Sequence, residues 1–165
     1  MSQKKKSSQK KIPSPKGPFR LNLGCGTDIR EGFINIDLID AADLQIDLEK
    51  VGEKRLPYPD GSVELTLCSH ILEHLHNFKD LMNELHRVTK KGGMVTIFVP
   101  VYPSKQAFQD PTHVRFFTDE TFNYLNEDSF YWKEHGVNYG FKPWKLQRQM
   151  INQGGWELIV HLKKP

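Results

Sequence analysis

The stretch Phe19-Arg-Leu-Asn-Leu-Gly-Cys-Gly-Thr27 decides how the rest of the chain reads. Phe19 to Leu23 is a short segment with strand character, and Gly24-Cys-Gly26 stops it. Glycine permits backbone angles that other residues avoid, and it lets a ligand come close to the main chain. A lone Gly-x-Gly turn is weak evidence, but two acids downstream strengthen it. Phe33-Ile-Asn-Ile-Asp37 is a second strand segment ending in Asp37, and Ala42-Asp-Leu-Gln-Ile46 is a third, running into Asp47 and Leu48. In a doubly wound sheet, an acid closing the second strand can accept hydrogen bonds from ribose hydroxyls beside the point where strand order reverses. Two acids closing strands after a glycine turn favour a ligand over two ordinary turn residues.

Further along, Pro59-Asp-Gly-Ser62 introduces a fourth strand, Val63 to Ser69. Phe78, Leu81, Met82, Leu85 and Val88 then share one face of a predicted helix, which Lys90-Lys-Gly-Gly93 closes. Met94 to Val99 is a near-continuous apolar run, the mark of a strand covered on both faces, and Pro100 ends it. Asp119 to Leu125 reads as a short helix with Thr118 as its N-cap. Trp144 to Ile151 and Trp156 to Leu162 read as two strands joined through Asn152-Gln-Gly-Gly155. The order implies an α/β fold built on a seven-stranded, mostly parallel sheet with a C-terminal antiparallel hairpin.

The first two connections are short for parallel crossovers. Six residues separate Gly26 from Phe33 and four separate Asp37 from Ala42, whereas a crossover normally takes about a dozen or more. Helices are therefore reduced on one face of the sheet. Eleven of the 18 aromatic residues lie between Phe116 and Trp156, so this segment is one candidate cover for the bare face. A second subunit, making a homodimer, is the other.

At 165 residues the chain has room for one domain, over residues 18–165. Residues 1–20 hold seven Lys or Arg and no acid, which leaves 16 basic and 20 acidic side chains, a net −4, on the remaining 145. Residues 1–17 read as a disordered basic tail, because Ile12-Pro-Ser-Pro-Lys-Gly-Pro18 prevents a helix and little apolar surface offsets ordering. Such a tail could touch nucleic acid, an anionic membrane or an acidic partner, and a solubilising extension is the plainer reading. Its basic start has no apolar segment behind it, unlike a secretory signal, and no apolar run reaches the roughly 18 residues of a membrane span. Cys25 and Cys68 are too few for a disulfide framework, so a reducing, cytoplasmic setting is expected.

A nicotinamide dehydrogenase uses a similar turn, but its G-x-G-x-x-G fingerprint lacks its third glycine here, where Thr27, Asp28 and Ile29 follow Gly26. No long helix follows to present its N-terminus to a pyrophosphate. S-adenosylmethionine carries no phosphate and needs neither. Leu21-Asn-Leu-Gly-Cys-Gly26, Phe33-Ile-Asn-Ile-Asp-Leu38, Leu56-Pro-Tyr-Pro-Asp-Gly-Ser62, His70-Ile-Leu-Glu-His-Leu75 and Lys91-Gly-Gly-Met-Val95 together resemble the class I S-adenosylmethionine-dependent methyltransferases. The resemblance covers residues 19–100 well and the terminal hairpin loosely, and it is nearest to compact members with short first crossovers. It implies a Rossmann-like seven-stranded sheet with an antiparallel seventh strand, and S-adenosylmethionine as cofactor. It further implies that Gly24, Cys25 and Gly26 line the methionine part and that Asp37 binds the ribose hydroxyls. Leu38 would pack on the adenine, Asp47 with Leu48 would meet its amino edge, and Ser69 and His70 would lie below the sulfonium.

His70-Ile-Leu-Glu-His74 also matches the H-x-x-E-H zinc pattern. It starts where a strand ends, and the resemblance accounts for the same letters, so no metal is expected. His74, His76 and His86 read as structural or surface groups. His70 and His113 are the candidate catalytic groups, His113 as a general base in Gln109-Asp-Pro-Thr-His-Val-Arg115 with Asp110 or Arg115 orienting substrate. The alternative is that this loop is only a turn held by local hydrogen bonds. Base-methylating enzymes resemble one another in a [DNS]-P-P-[FYW] motif, and Ser69-His-Ile-Leu72 stands in its place. Together with the acidic body, this disfavours nucleic acid and favours a small-molecule acceptor, for which Phe130-Tyr-Trp132 could form a wall or be core. A catalytically silent module that binds S-adenosylmethionine, or an adaptor acting through the tail, is the rival reading.

Overall fold

The computed structural model describes residues 17–165, so the tail expected over 1–17 lies outside the described residues apart from Gly17. The elements are β1 (Phe19–Leu23), β2 (Ile34–Asp37), β3 (Leu44–Gln45), β4 (Val63–Ser69), α1 (Phe78–Val88), β5 (Thr89–Pro100), α2 (Lys105–Phe108), β6 (Lys145–Ile151) and β7 (Glu157–Lys163). They form one seven-stranded sheet in the order β3-β2-β1-β4-β5-β7-β6. β1 to β5 run parallel, and β7 lies antiparallel to both β5 and β6. No helix lies between β1 and β2 or between β2 and β3. The Rossmann-like architecture, the terminal hairpin and the abbreviated crossovers are all present.

Strand register separates two unlike faces. On one, Leu21, Leu23, Ile36, Cys68, Val95, Ile97, Val99, Leu158, Val160 and Leu162 are fully buried. The five apolar residues of α1, at the spacing read from sequence, pack onto that layer. Each such side chain contributes about 1.5–3 kcal/mol relative to exposure. Polar groups on α1 fasten the β3–β4 connection to it. Glu84 accepts the Leu56 N–H at 2.7 Å and pairs with Arg87 at 2.6 Å, and Arg87 donates to the Leu56 and Tyr58 carbonyls. The Asn77 amide donates to the Leu48 and Val51 carbonyls.

The opposite face has two halves. Over β1 and β2, Asn22 donates to the Asp28 carbonyl and to Asn35 Oδ1, which also accepts the Arg30 N–H. Asn35 in turn donates to Asp43 at 2.8 Å. These bonds stitch the short β1–β2 connection across the strands where a longer crossover would place a helix. Over β4, β5 and β7, Leu65, Met94, Thr96, Phe98, Ile159 and His161 point the same way and stay partly open to solvent.

The aromatic segment does not cover this open half. Phe117, Phe122 and Phe141 pack around Phe78 of α1, and Trp144 meets His86 edge-on at 5.2 Å. The apolar stripe of α1 is the drier surface, so the aromatics extend the core on that side. Local boundaries differ too. α1 stops at Val88 and the chain turns straight into β5, so Lys90 to Gly93 begin the strand instead of capping the helix. The segment read as a helix over 119–125 is a single 3-10 turn, Thr121–Tyr124, pinned between bridges at Val101–Phe117 and Asn126–Trp144. Thr118 Oγ1 still accepts the Glu120 N–H. β3 is two residues long because, as an edge strand, it pairs only with β2.

Candidate active site at the carboxyl rim

Five parallel strands discharge their C-terminal ends at one rim, and the strand order reverses between β1 and its neighbours there. That is where open α/β sheets bind ligands. Gly24, with φ +62°, follows β1, and its N–H and that of Cys25 both reach the Ile36 carbonyl. A Cβ on Gly24 would stand 2.5 Å from Ile71 Cγ1, so glycine is required twice over, by angle and by space. Gly26, with φ +47°, faces open space instead. Its N–H donates to Asp37 Oδ2 at 2.9 Å, and the Leu38 N–H donates to Asp37 Oδ1 at 2.6 Å. The glycine turn and the acid of β2 are thus joined directly. Cys25 is buried beside them, and burial together with Asp37 raises its thiol pKa, which keeps it uncharged.

Leu38 projects its side chain into solvent at 64% exposure, next to that carboxylate. Asp47 caps the single turn Leu48–Lys50 by accepting the Glu49 N–H at 3.1 Å, and Leu48 is buried. Ser69 ends β4. His70 follows with φ +51°, uncommon for a residue with a side chain, and its N–H is held by the Phe98 carbonyl of β5.

The His70 ring is gripped by two carboxylates, Nδ1 at 3.2 Å from Glu73 Oε1 and Nε2 at 2.8 Å from Glu157 Oε1, and it stacks on Trp156. The hydrogen bond to Glu73, helped by Glu157 and opposed by burial, raises its pKa. Each ring nitrogen faces a carboxylate, an arrangement that favours the protonated ring, so His70 is built to hold a proton more than to accept one. Glu157 and Trp156 lie 87 and 86 residues further on, and no motif marks them.

The loop after β5 docks on the turn after β4. The Val114 and Arg115 N–H groups both donate to the Glu73 carbonyl. This brings His113 against His74, with ring centroids 4.8 Å apart. Asp110 accepts the Thr112 N–H and hydroxyl at 2.8 and 2.6 Å, and Arg115 lies over the Phe78 ring while donating to the Leu75 and His76 carbonyls. Both residues are spent on positioning the loop. Tyr102, Phe108 and Phe116 form an exposed aromatic cluster on this loop, Phe108 and Phe116 stacked at 4.8 Å. Phe130 and Tyr131 lie elsewhere, Tyr131 packing on Tyr124.

A mostly parallel sheet, a glycine turn bonded to the acid of the next strand and an open rim define a nucleoside-cofactor-binding Rossmann-like domain. Residues 22–97 match a family model described as "Methyltransferase domain", in line with the resemblance of the sequence to the class I S-adenosylmethionine-dependent methyltransferases. It is 30% identical over 99 residues to ajmaline N-methyltransferase of Rauvolfia serpentina, an overlap of 56% of this chain and 30% of that protein. It is 24% identical over 141 residues to an uncharacterized protein of Methanocaldococcus jannaschii, covering 74% of this chain and 62% of the other. The chain therefore spans less than two thirds of either relative. Among solved structures, a SAM-dependent methyltransferase from Archaeoglobus fulgidus superposes with TM-score 0.59 at 16% identity, over 90% of this chain and 87% of that one. The [4+2]-cyclase SpnF superposes with TM-score 0.58 at 16% identity, over 90% and 75%. These two likenesses speak for the fold.

Proposed function

We propose that this chain transfers a methyl group from S-adenosylmethionine to a small-molecule acceptor at the carboxyl rim. The observation that carries the reading is the bond between the Gly26 N–H and Asp37 Oδ2, which places a Cβ-free turn and an acceptor carboxylate side by side at the switch point. The residues present suit the cofactor. Asp37 is positioned to accept ribose hydroxyls, Leu38 to lie against the adenine, and Asp47 with Leu48 to meet the base edge. Gly24, Cys25 and Gly26 would line the methionine portion, with Ser69 and His70 beneath it. Bound there, the cofactor supplies a methyl group on a sulfonium, an electrophile that needs little activation.

What the chain contributes is alignment and exclusion of water. His70, held between Glu73 and Glu157, gives a fixed hydrogen-bonding group at the rim whose protonated form both carboxylates favour. The exposed Tyr102, Phe108 and Phe116 offer a flat apolar surface for an acceptor with a hydrophobic body. The acidic body and the Ser69-His-Ile-Leu72 sequence favour such an acceptor over a nucleic-acid base.

The test is titration calorimetry with S-adenosylmethionine and S-adenosylhomocysteine, followed by methyl-transfer assays on a panel of small amines and hydroxyl compounds. Binding with turnover on the panel supports the proposal, and absence of cofactor binding overturns it. Binding without turnover favours the silent module, a reading kept in play because the cyclase SpnF shares this fold.

A further inference from the structure

Glu73, His74 and His113 each offer a ligand atom, and the three atoms lie within 4.8 Å of one another. It is the one such grouping among the described residues. The hydrogen bonds around it determine which nitrogens are available. His113 Nδ1 lies 3.0 Å from the Ala107 carbonyl, which can only accept, so Nδ1 carries the hydrogen and Nε2 keeps its lone pair. Thr112 Oγ1 lies 2.6 Å from Asp110 Oδ1 and spends its one hydrogen on that carboxylate. At 3.0 Å from the same hydroxyl, His74 Nδ1 must therefore donate, and its Nε2 is also left bare. Metal-ligating histidines are set up in this way, the remote N–H anchored to a carbonyl or to a carboxylate-linked group.

The third member adds an independent sign. Glu73 is 1% exposed, and while Oε1 meets His70, its Oε2 is buried with no hydrogen-bond partner. A buried carboxylate oxygen left unpaired costs free energy unless something fills the place. We infer that Glu73, His74 and His113 form a binding site for a first-row divalent transition cation. Two imidazoles and one carboxylate suit zinc, iron or cobalt, whereas magnesium and calcium demand oxygen ligands. Bond lengths of about 2.0–2.2 Å put ligand atoms about 3–3.5 Å apart, so side-chain rotations of an ångström or so close the site. Three protein ligands leave positions for water or an acceptor atom. The site departs from the expectation of no metal. The letters His70 to His74 misdirect, because the two histidines of that motif do not ligate together. The second imidazole comes from a loop 39 residues beyond His74, docked through the Glu73 carbonyl. The inference stands on this geometry and does not depend on the methyl-transfer reading.

The experiment uses the full chain, untagged and stripped with a chelator, titrated with Co²⁺ and separately with Mg²⁺. One equivalent of Co²⁺ is expected to bind saturably with a visible absorption band, and Mg²⁺ to show no saturable binding. His74→Gln and His113→Gln should each weaken Co²⁺ binding at least tenfold, while His135→Gln does not, with circular dichroism reporting the fold of each variant. Should a variant fail to fold, wild-type NMR decides, since Co²⁺ must perturb the His74 and His113 ring signals before those of the other five histidines. No saturable binding at one equivalent, binding indifferent to both substitutions in folded protein, or first perturbation of other histidines overturns the site.

Discussion

Gly24→Ala tests the tightest contact of the rim. The alanine would be held at φ +62°, which costs an L-residue about 1–2 kcal/mol. Its Cβ would also sit 2.5, 2.6 and 2.7 Å from Ile71 Cγ1, Cβ and Cδ1, and such overpacking costs about 1–3 kcal/mol. Ile71 cannot swing away freely, because it packs on the core and follows His70, whose N–H is tied to Phe98. The expected total is about 2–5 kcal/mol, a large share of a small domain's stability. A double-mutant cycle separates the two causes. Adding Ile71→Gly, which removes Cβ along with Cγ1 and Cδ1, should recover the steric part, a coupling of about 1–3 kcal/mol, and leave the backbone part behind. Gly26→Ala is the control. Its φ is also positive but nothing lies within 4 Å of its Cβ, so it should lose about 1–2 kcal/mol and show no coupling to Ile71. The assay is urea unfolding of all the variants at constant m, beside calorimetry with S-adenosylhomocysteine. A Gly24→Ala protein as stable as wild type, or a cycle with no coupling, would refute the close approach of the turn to Ile71.

Other perturbations have equally definite outcomes. Asp37→Ala removes a carboxylate placed to accept charge-assisted bonds of about 1.5–3 kcal/mol, so affinity for S-adenosylmethionine should fall roughly ten- to a hundredfold by calorimetry. An unchanged affinity would remove the basis for placing the cofactor there. His86 has its pKa lowered to about 4 by burial and by Lys164 and Lys142. Its unfolded form takes up a proton near pH 6.5 while the folded form resists, so its contribution is full above pH 6.5 and lost as pH falls towards 4. The shift sets a ceiling of about 3 kcal/mol, less the screening at its half-buried position. His86→Leu should flatten the pH dependence of the urea midpoint between 7 and 4, and identical profiles would contradict the assignment. Arg87→Ala strands the buried Glu84 and releases the Leu56 and Tyr58 carbonyls, for an expected loss of about 3 kcal/mol or more. Glu84→Gln, which can still accept the Leu56 N–H, should lose less in the same unfolding assay.

Whatever depends on neighbours in the chain was readable from the amino-acid order. The spacing of Phe78, Leu81, Met82, Leu85 and Val88 marked α1, and the glycines after Leu23 marked the turn, because side-chain periodicity and backbone sterics act within a few residues. Asp37 at the end of β2 was readable for the same reason. Its bond to Gly26 spans only 11 residues, so a short crossover left little freedom. The reach of Lys90 to Gly93 into β5 was less legible, since the same letters can end a helix or begin a strand, and only the pairing of Thr89 and Met94 with β4 and of Gly92 and Gly93 with Lys164 decides.

Tertiary structure alone decided which distant groups meet. Glu157 reaches His70 because β7 inserts between β5 and β6, and no local pattern encodes which edge a returning hairpin takes. His113 reaches His74 because two N–H groups of its loop settle on the Glu73 carbonyl, which gathers the Glu73, His74 and His113 side chains into one group. The aromatics from Phe117 to Trp144 chose the α1 side because dry surface was already there. Local sterics and periodicity act along the chain and can be read from it. Partner choice in a core is a competition among all surfaces at once, and only the folded arrangement shows its outcome.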